Sequence, residues 1–209
     1  MAVPVIKFPT LMMLVRLMGV TVAALVLTWT VHFRGGLALL SDNKDLIFNV
    51  HPVLMVIGLV LLNGEGKYPF CALLALVLCV CRCGEGIDNF YSLHSWLGLA
   101  CLLLFAIQWA AGFVTFWYPG GSRNSRATLL PWHVFFGVYI YALAVVTATT
   151  GILEKATFLQ TNKVISHYSA EALLVNSLGI LMIVLGGFVV LATITSLNSK
   201  GDIPRNATE

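Results

Sequence analysis

Tyr91-Ser92-Leu93-His94-Ser95-Trp96-Leu97-Gly98 is the stretch on which the fold turns. It lies where a polar loop passes into a long apolar run. An imidazole at the mouth of a membrane segment is costly unless something binds it, so such a residue marks a site. The run it introduces, Trp96–Trp117, carries Gln108 as its only strongly polar interior residue. The questions are what His94 binds, and which second residue binds the same thing.

The rest of the chain resembles the run after His94. Of 209 residues, 59% are hydrophobic and only 10% are charged. A soluble domain is about half apolar and a quarter charged. A water-soluble core of this size cannot hide so much apolar surface, so the chain reads as an integral membrane protein with lipid as its solvent. Its apolar runs are long and do not alternate, which makes the spans helices rather than barrel strands. The net charge of +3 is small and unclustered, which argues against nucleic acid as a partner.

Six segments emerge: Leu11–Val31, Val50–Leu62, Tyr68–Cys83, Trp96–Trp117, Leu130–Ile152 and Ala172–Thr195. The fold class is an all-α membrane protein, a six-helix transmembrane bundle. It forms one domain over 11–196 with short cytoplasmic tails at 1–10 and 197–209. The first run is too long for a signal-peptide core and reads as a retained helix. Arg16 lies near its start and can reach the near face. Polar stretches separate the segments: 32–49, 63–67, 82–92, Pro119–Arg126 and Glu154–His167. Trp29, Tyr91, Trp96, Trp117, Tyr118, Trp132 and Tyr168 mark the boundaries as an interfacial belt.

The third segment is short. Its apolar part, Pro69 to Cys81, is about 20 Å long at ~1.5 Å per residue, against a hydrocarbon core of roughly 30 Å. If it spans, both termini share a side. That side then holds Lys7, Arg16, Lys67, Arg123, Arg126, Lys200 and Arg205, a mild excess over Arg34, Lys44, Arg82, Lys155 and Lys163 opposite. The bias favours cytoplasmic termini. The five cysteines (71, 79, 81, 83 and 101) do not make a metal site, because Cys79-Val-Cys81-Arg-Cys83 alternates where metal pairs usually leave two or more residues between them. They read as small apolar residues.

Three of the five histidines, His51, His94 and His133, each open an apolar span, and His51 is followed by Pro52 in a first helical turn. Imidazoles pointing into a bundle are a usual way to hold a haem. Direction decides which two can meet. If Tyr68–Cys83 spans, His51 and His94 share one face and His133 lies at the other. If it does not, His51 shares a face with His133 instead.

Phe48-Asn49-Val50-His51-Pro52, Leu62-Asn63-Gly64-Glu65, Asp88-Asn89-Phe90-Tyr91-Ser92-Leu93-His94-Ser95-Trp96-Leu97-Gly98 and Pro131-Trp132-His133-Val134-Phe135 together resemble the cytochrome b561 family, most of all its plant tonoplast-type, ascorbate-dependent members. The resemblance covers roughly 11–66 and 84–196. It implies six helices and two b haems, one near each face. It also implies one electron from cytoplasmic ascorbate, delivered to monodehydroascorbate or a ferric chelate on the far side of a tonoplast or other endomembrane. His51 and His94 match the ligands of the non-cytoplasmic haem. His133 matches a ligand of the cytoplasmic one.

The histidine that pairs with His133 in the family pattern has no counterpart, since no histidine lies between 51 and 94. In place of a Lys-rich loop and a Val-His-Leu-type helix start, the chain has Gly66-Lys67-Tyr68-Pro69-Phe70-Cys71. It reads as about two dozen residues short between its second and third helices. The cytoplasmic haem is therefore expected to be absent, or five-coordinate on His133 and loosely held. Arg123, Arg126 and Lys67 resemble the remaining cations of the family's ascorbate site, and Phe90 and Tyr91 border the outer acceptor site. The family is often dimeric, but no dimer face is legible. Two readings follow: an ascorbate-driven transmembrane ferrireductase, or a shortened, non-catalytic membrane variant with one haem or none. A transporter is disfavoured by the lack of matched broken helices.

Overall fold

The structure, a computed structural model, describes residues 8–62 and 90–201, with side chains described through Ser196. The Tyr68–Cys83 segment, Lys67, the cysteines at 71, 79, 81 and 83, and most of both tails lie outside the described residues. Those described form five helices long and apolar enough to cross a membrane: α1 (Phe8–Phe33), α2 (Lys44–Leu62), α3 (Leu93–Trp117), α4 (Arg123–Thr161) and α5 (Ala170–Gly201). The chain is a helical membrane protein.

The contacts between helix ends fix the directions. The end of α1 meets the start of α5, where Trp29 Nε1 donates to Glu171 Oε1 at 2.9 Å and Arg34 pairs with the same carboxylate. The start of α2 meets the end of α1, because Asn49 Nδ2 donates to the carbonyls of Arg34 and Gly36. The start of α2 also meets the start of α3, where His51 faces His94. So α2 and α3 run the same way, α1 and α4 run opposite to them, and α5 returns. One face carries the beginning of α1 and the end of α5; it is called the terminal face below. The other, far face carries His51 and His94.

The core lies where α1, α2, α4 and α5 converge. Val22, Val26, Val56, Val60, Leu178, Met182 and Leu185 are almost completely buried there. A second cluster, Leu59, Cys101, Phe105, Ile140 and Ala144, ties α3 to α2 and α4. Cys101 is thus the small apolar residue expected of it. Arg16 is exposed on α1.

Several boundaries differ from those read in the sequence. Lys44 opens α2 six residues early, because Asn43 Oδ1 caps Asp45 N at 3.0 Å. The helix is interrupted at Asn49 and restarts as Val50–Leu54, so Pro52 does stand in a first turn, where a missing N–H leaves no bond unmade. The Pro119–Arg126 stretch is not all loop. Ser122 Oγ accepts from Ser125 N and starts α4 at Arg123, placing Arg123 and Arg126 in its first turn and His133 in its third turn rather than its first. Nor is Glu154–His167 all loop: Ile152, Ala156 and Leu159 continue the buried stripe, and α4 runs on to Thr161. His94 stands inside the first turn of α3 rather than before it, because Ser92 Oγ caps Ser95 N.

Candidate haem-ligand pair at the far face

His51 and His94 face each other across the gap between the starts of α2 and α3. Their ring centroids are 5.9 Å apart and their planes are nearly perpendicular, at 88°. Two imidazoles bound to one metal from opposite sides, with bonds of about 2.0–2.1 Å and roughly 1 Å more to each ring centre, would have centroids about 6 Å apart. The observed separation matches that of two imidazoles sharing one iron. His94 Nδ1 lies 2.9 Å from the carbonyl oxygen of Thr147 on α4. A carbonyl only accepts, so Nδ1 carries the proton and Nε2 keeps a free lone pair. At metal sites a histidine's tautomer is fixed in this way, by a group that bonds its other ring nitrogen. Phe48 packs beside His51 with ring centroids 6.2 Å apart, and Lys155 Nζ sits 4.3 Å from the centre of that ring.

His133 lies at a different level. Thr147 is fourteen residues further along α4, so His133 is about 21 Å from the His94 level along the helix axis at ~1.5 Å per residue. Its backbone carbonyl accepts from Gln108 Nε2, and its ring stands edge-on to Phe116 at 5.3 Å. The chain's other histidines, His32, His51, His94 and His167, all belong to far-face segments. A second histidine for an iron at His133 is thus missing from the chain, and the residues here do not fit a bis-histidine centre.

Around the terminal face, Arg126 Nε donates to Gly121 O at 2.8 Å, and Arg123 and Arg126 are both exposed. Next to them is a groove of about 530 Å³ lined by Thr115, Asn124, Ser125, Thr128, Leu129 and Trp132. At the far face, Tyr91 Oη donates to Glu154 at 2.8 Å, and Trp96 Nε1 holds the carbonyl of Phe90, whose φ of 63° is left-handed. Phe90 and Tyr91 are both exposed there, within a few residues of His94. Sequence reasoning missed Thr147, Gln108's partner and the lining of the groove. A threonine inside an apolar run four residues before Gly151 was the available hint for Thr147.

Parallel membrane helices offering facing imidazoles to one metal are the arrangement of a membrane-embedded b-type cytochrome. The sequence pattern of the eukaryotic cytochrome b561 family matches residues 67–159. Over 227 aligned positions, covering 97% of this chain and 99% of the relative, the chain is 59% identical to transmembrane ascorbate ferrireductase 2 of Arabidopsis thaliana. It is 43% identical to ascorbate-specific transmembrane electron transporter 1 of Zea mays, over 85% of each chain. It is 35% identical to a transmembrane ascorbate-dependent reductase of Pongo abelii, over 83% of this chain and 78% of that one. The chain belongs to the cytochrome b561 family, and the resemblance read from its motifs is borne out. The alignment with the Arabidopsis protein is 227 positions long and this chain has 209 residues, so at least 18 positions of it have no counterpart here.

Proposed function

We propose that the chain passes electrons across a membrane from ascorbate on the terminal, cytoplasmic side to monodehydroascorbate or a ferric chelate on the far side, by way of a b-type haem held by His51 and His94. The membrane is the tonoplast or another endomembrane. The observation that carries this reading is the facing pair of imidazoles, one of them held at Nδ1 by Thr147 O, which leaves Nε2 as its metal-binding nitrogen. The similarity to ascorbate ferrireductases and ascorbate-specific electron transporters favours it over the non-catalytic alternative.

Bound there, a b-type haem supplies a one-electron iron couple. The chain's own residues do the remaining work. His51 and His94 bind from two parallel helices, so their spacing is set by helix packing rather than by a loop. Thr147 holds a proton at His94 Nδ1. Leu59 and Cys101, two turns deeper on α2 and α3, pack together beneath the pair and exclude water from the terminal side. At the terminal face, Arg123 and Arg126, with Lys67, are the cations proposed for the enediolate of ascorbate, and the groove beside them sets the hydroxyls and amide of Thr115, Asn124, Ser125 and Thr128 against an apolar wall of Leu129 and Trp132. Phe90 and Tyr91 border the acceptor site. Because His133 has no second histidine to share an iron with, the inner haem is absent or five-coordinate and loosely held. An electron entering near Arg123 must then cover the distance to the His94 level without a firmly ligated relay.

The test is a vesicle loaded with ascorbate and bearing the purified protein, with ferric citrate outside. Ferrous iron should appear outside with the wild-type chain and not with His94→Ala. Equal rates for the two would refute the proposal.

A further inference from the structure

We propose that Gly151 and Gly112 are positioning residues for the imidazoles of His94 and His133: each supplies a bare stretch of helix backbone on which a histidine ring rests. The inference rests on the reading of His94 as an iron ligand. A Cβ added at Gly151 would stand 2.6 Å from Cε1, 2.8 Å from Nδ1 and 3.1 Å from Nε2 of His94. A Cβ added at Gly112 would stand 2.7 Å from Cε1 of His133, with both ring nitrogens at 3.4–3.5 Å. Real Cβ atoms essentially never come within 3.0 Å of a heavy atom beyond their own residue and its chain neighbours.

The contrast with the other glycines gives the observation its meaning. Among the glycines so placed in the described residues, only these two would bring a Cβ under 3.0 Å, and in both cases the obstacle is an imidazole. Gly179 and Gly187 on α5 have nothing within 4 Å, and Gly98 meets Thr147 at an ordinary 3.7 Å. The two pairs are built in opposite senses. His94 on α3 rests on Gly151 of α4, and His133 on α4 rests on Gly112 of α3. One helix pair thus seats a histidine at each level of the bundle.

At the far face the seat is tight on two sides. Thr147 and Gly151 are four residues apart, so they lie on the same face of α4, one turn above the other. The ring is hydrogen-bonded to Thr147 O at 2.9 Å and its Nδ1–Cε1–Nε2 edge lies against Gly151. A methyl group at 151 can be accommodated only if the ring swings off. That breaks the bond that sets the tautomer, or closes the 5.9 Å separation from His51, or both. Gly151 therefore acts through His94 and touches no substrate.

The test is Gly151→Ala in the full-length chain, with Gly179→Ala as the control where a Cβ meets nothing. Haem per chain and the low-spin visible bands are read on purified protein, alongside His94→Ala. Outer-shell changes at metal sites typically weaken affinity roughly 10–100-fold, so Gly151→Ala should lose haem, or trade low-spin for high-spin bands, while Gly179→Ala keeps the wild-type spectrum. Wild-type haem content and low-spin bands in Gly151→Ala would overturn the proposal, provided His94→Ala loses them. If His94→Ala keeps them as well, the ligand assignment is what fails, and this proposal with it. Should Gly151→Ala not accumulate, the double variant Gly151→Ala/His94→Ala decides: the clash leaves with the ring, so the double variant should accumulate normally. A double variant that also fails to accumulate would show that the glycine serves helix packing instead.

Discussion

Replacing Glu171 by alanine should unfasten the far face. Its side chain is 6% exposed and carries two bonds: Trp29 Nε1 donates to one carboxylate oxygen at 2.9 Å, and the Arg34 guanidinium pairs with the other. Removing one partner of a buried ion pair costs about 3–5 kcal/mol, because the other charge is left uncompensated. Arg34 is 19% exposed, so it recovers some solvation, and the lower end of that range applies. The Trp29 N–H, in a residue only 2% exposed, loses its acceptor, which adds roughly 1 kcal/mol or more. The loss should be about 4 kcal/mol for Glu171→Ala, and less for Glu171→Gln, which keeps an acceptor for Trp29. Reversible unfolding in mixed detergent micelles, followed by tryptophan fluorescence, measures it. The pair Arg34→Met/Glu171→Met should recover much of the loss, since swapping both members of a buried pair for apolar residues is often near neutral. A loss below about 1 kcal/mol for Glu171→Ala, the size of an exposed pair, would refute the claim that this carboxylate joins α1 to α5.

Other changes separate the parts of the site. Arg123→Ala and Arg126→Ala together should raise the ascorbate concentration needed for half-maximal reduction by several-fold and leave haem per chain unchanged; loss of haem would show that these residues serve the fold. Replacing 66–83 by a longer helix start that carries a histidine on the terminal side should add a second haem whose spectrum depends on His133, and no gain would refute the missing-ligand account. Tyr91→Phe removes one exposed hydrogen bond to Glu154 and should shift stability by no more than about 1 kcal/mol, the size of a single net hydrogen bond. Asn206, in an Asn-Ala-Thr sequon, should stay unglycosylated in a eukaryotic host if the terminal face is cytoplasmic.

Much of the fold was legible because lipid leaves the backbone few options: an apolar run long enough to span has to be a helix. The same logic paired His51 with His94 once α2 and α3 were allowed to run the same way. The segment on which that choice was made to depend, Tyr68–Cys83, lies outside the described residues; the contacts of His51, His94 and Thr147 bring the two rings together without it. Helix ends were the least legible feature. Ser122-Arg-Asn-Ser125 looks like a loop by composition, yet a serine whose hydroxyl accepts the N–H of the residue three further on is also a helix start. Glu154 and Lys155 look like a loop for the same reason, although Ala156 and Leu159 carry the buried stripe past them. The seats under the histidines were not legible at all. Gly151 and Gly112 are two of 18 glycines in the chain, and only the crossing of α3 and α4 distinguishes them from the others.

His51 and His94 are proposed to hold the one firmly bound haem of this chain. Haem per chain, measured on purified protein together with the ascorbate-reduced visible spectrum, tests it most directly. One low-spin b haem is expected. It should be lost in His51→Ala and in His94→Ala and kept in His133→Ala. Two low-spin haems in the unaltered chain, or a spectrum that His51→Ala leaves unchanged, would contradict it.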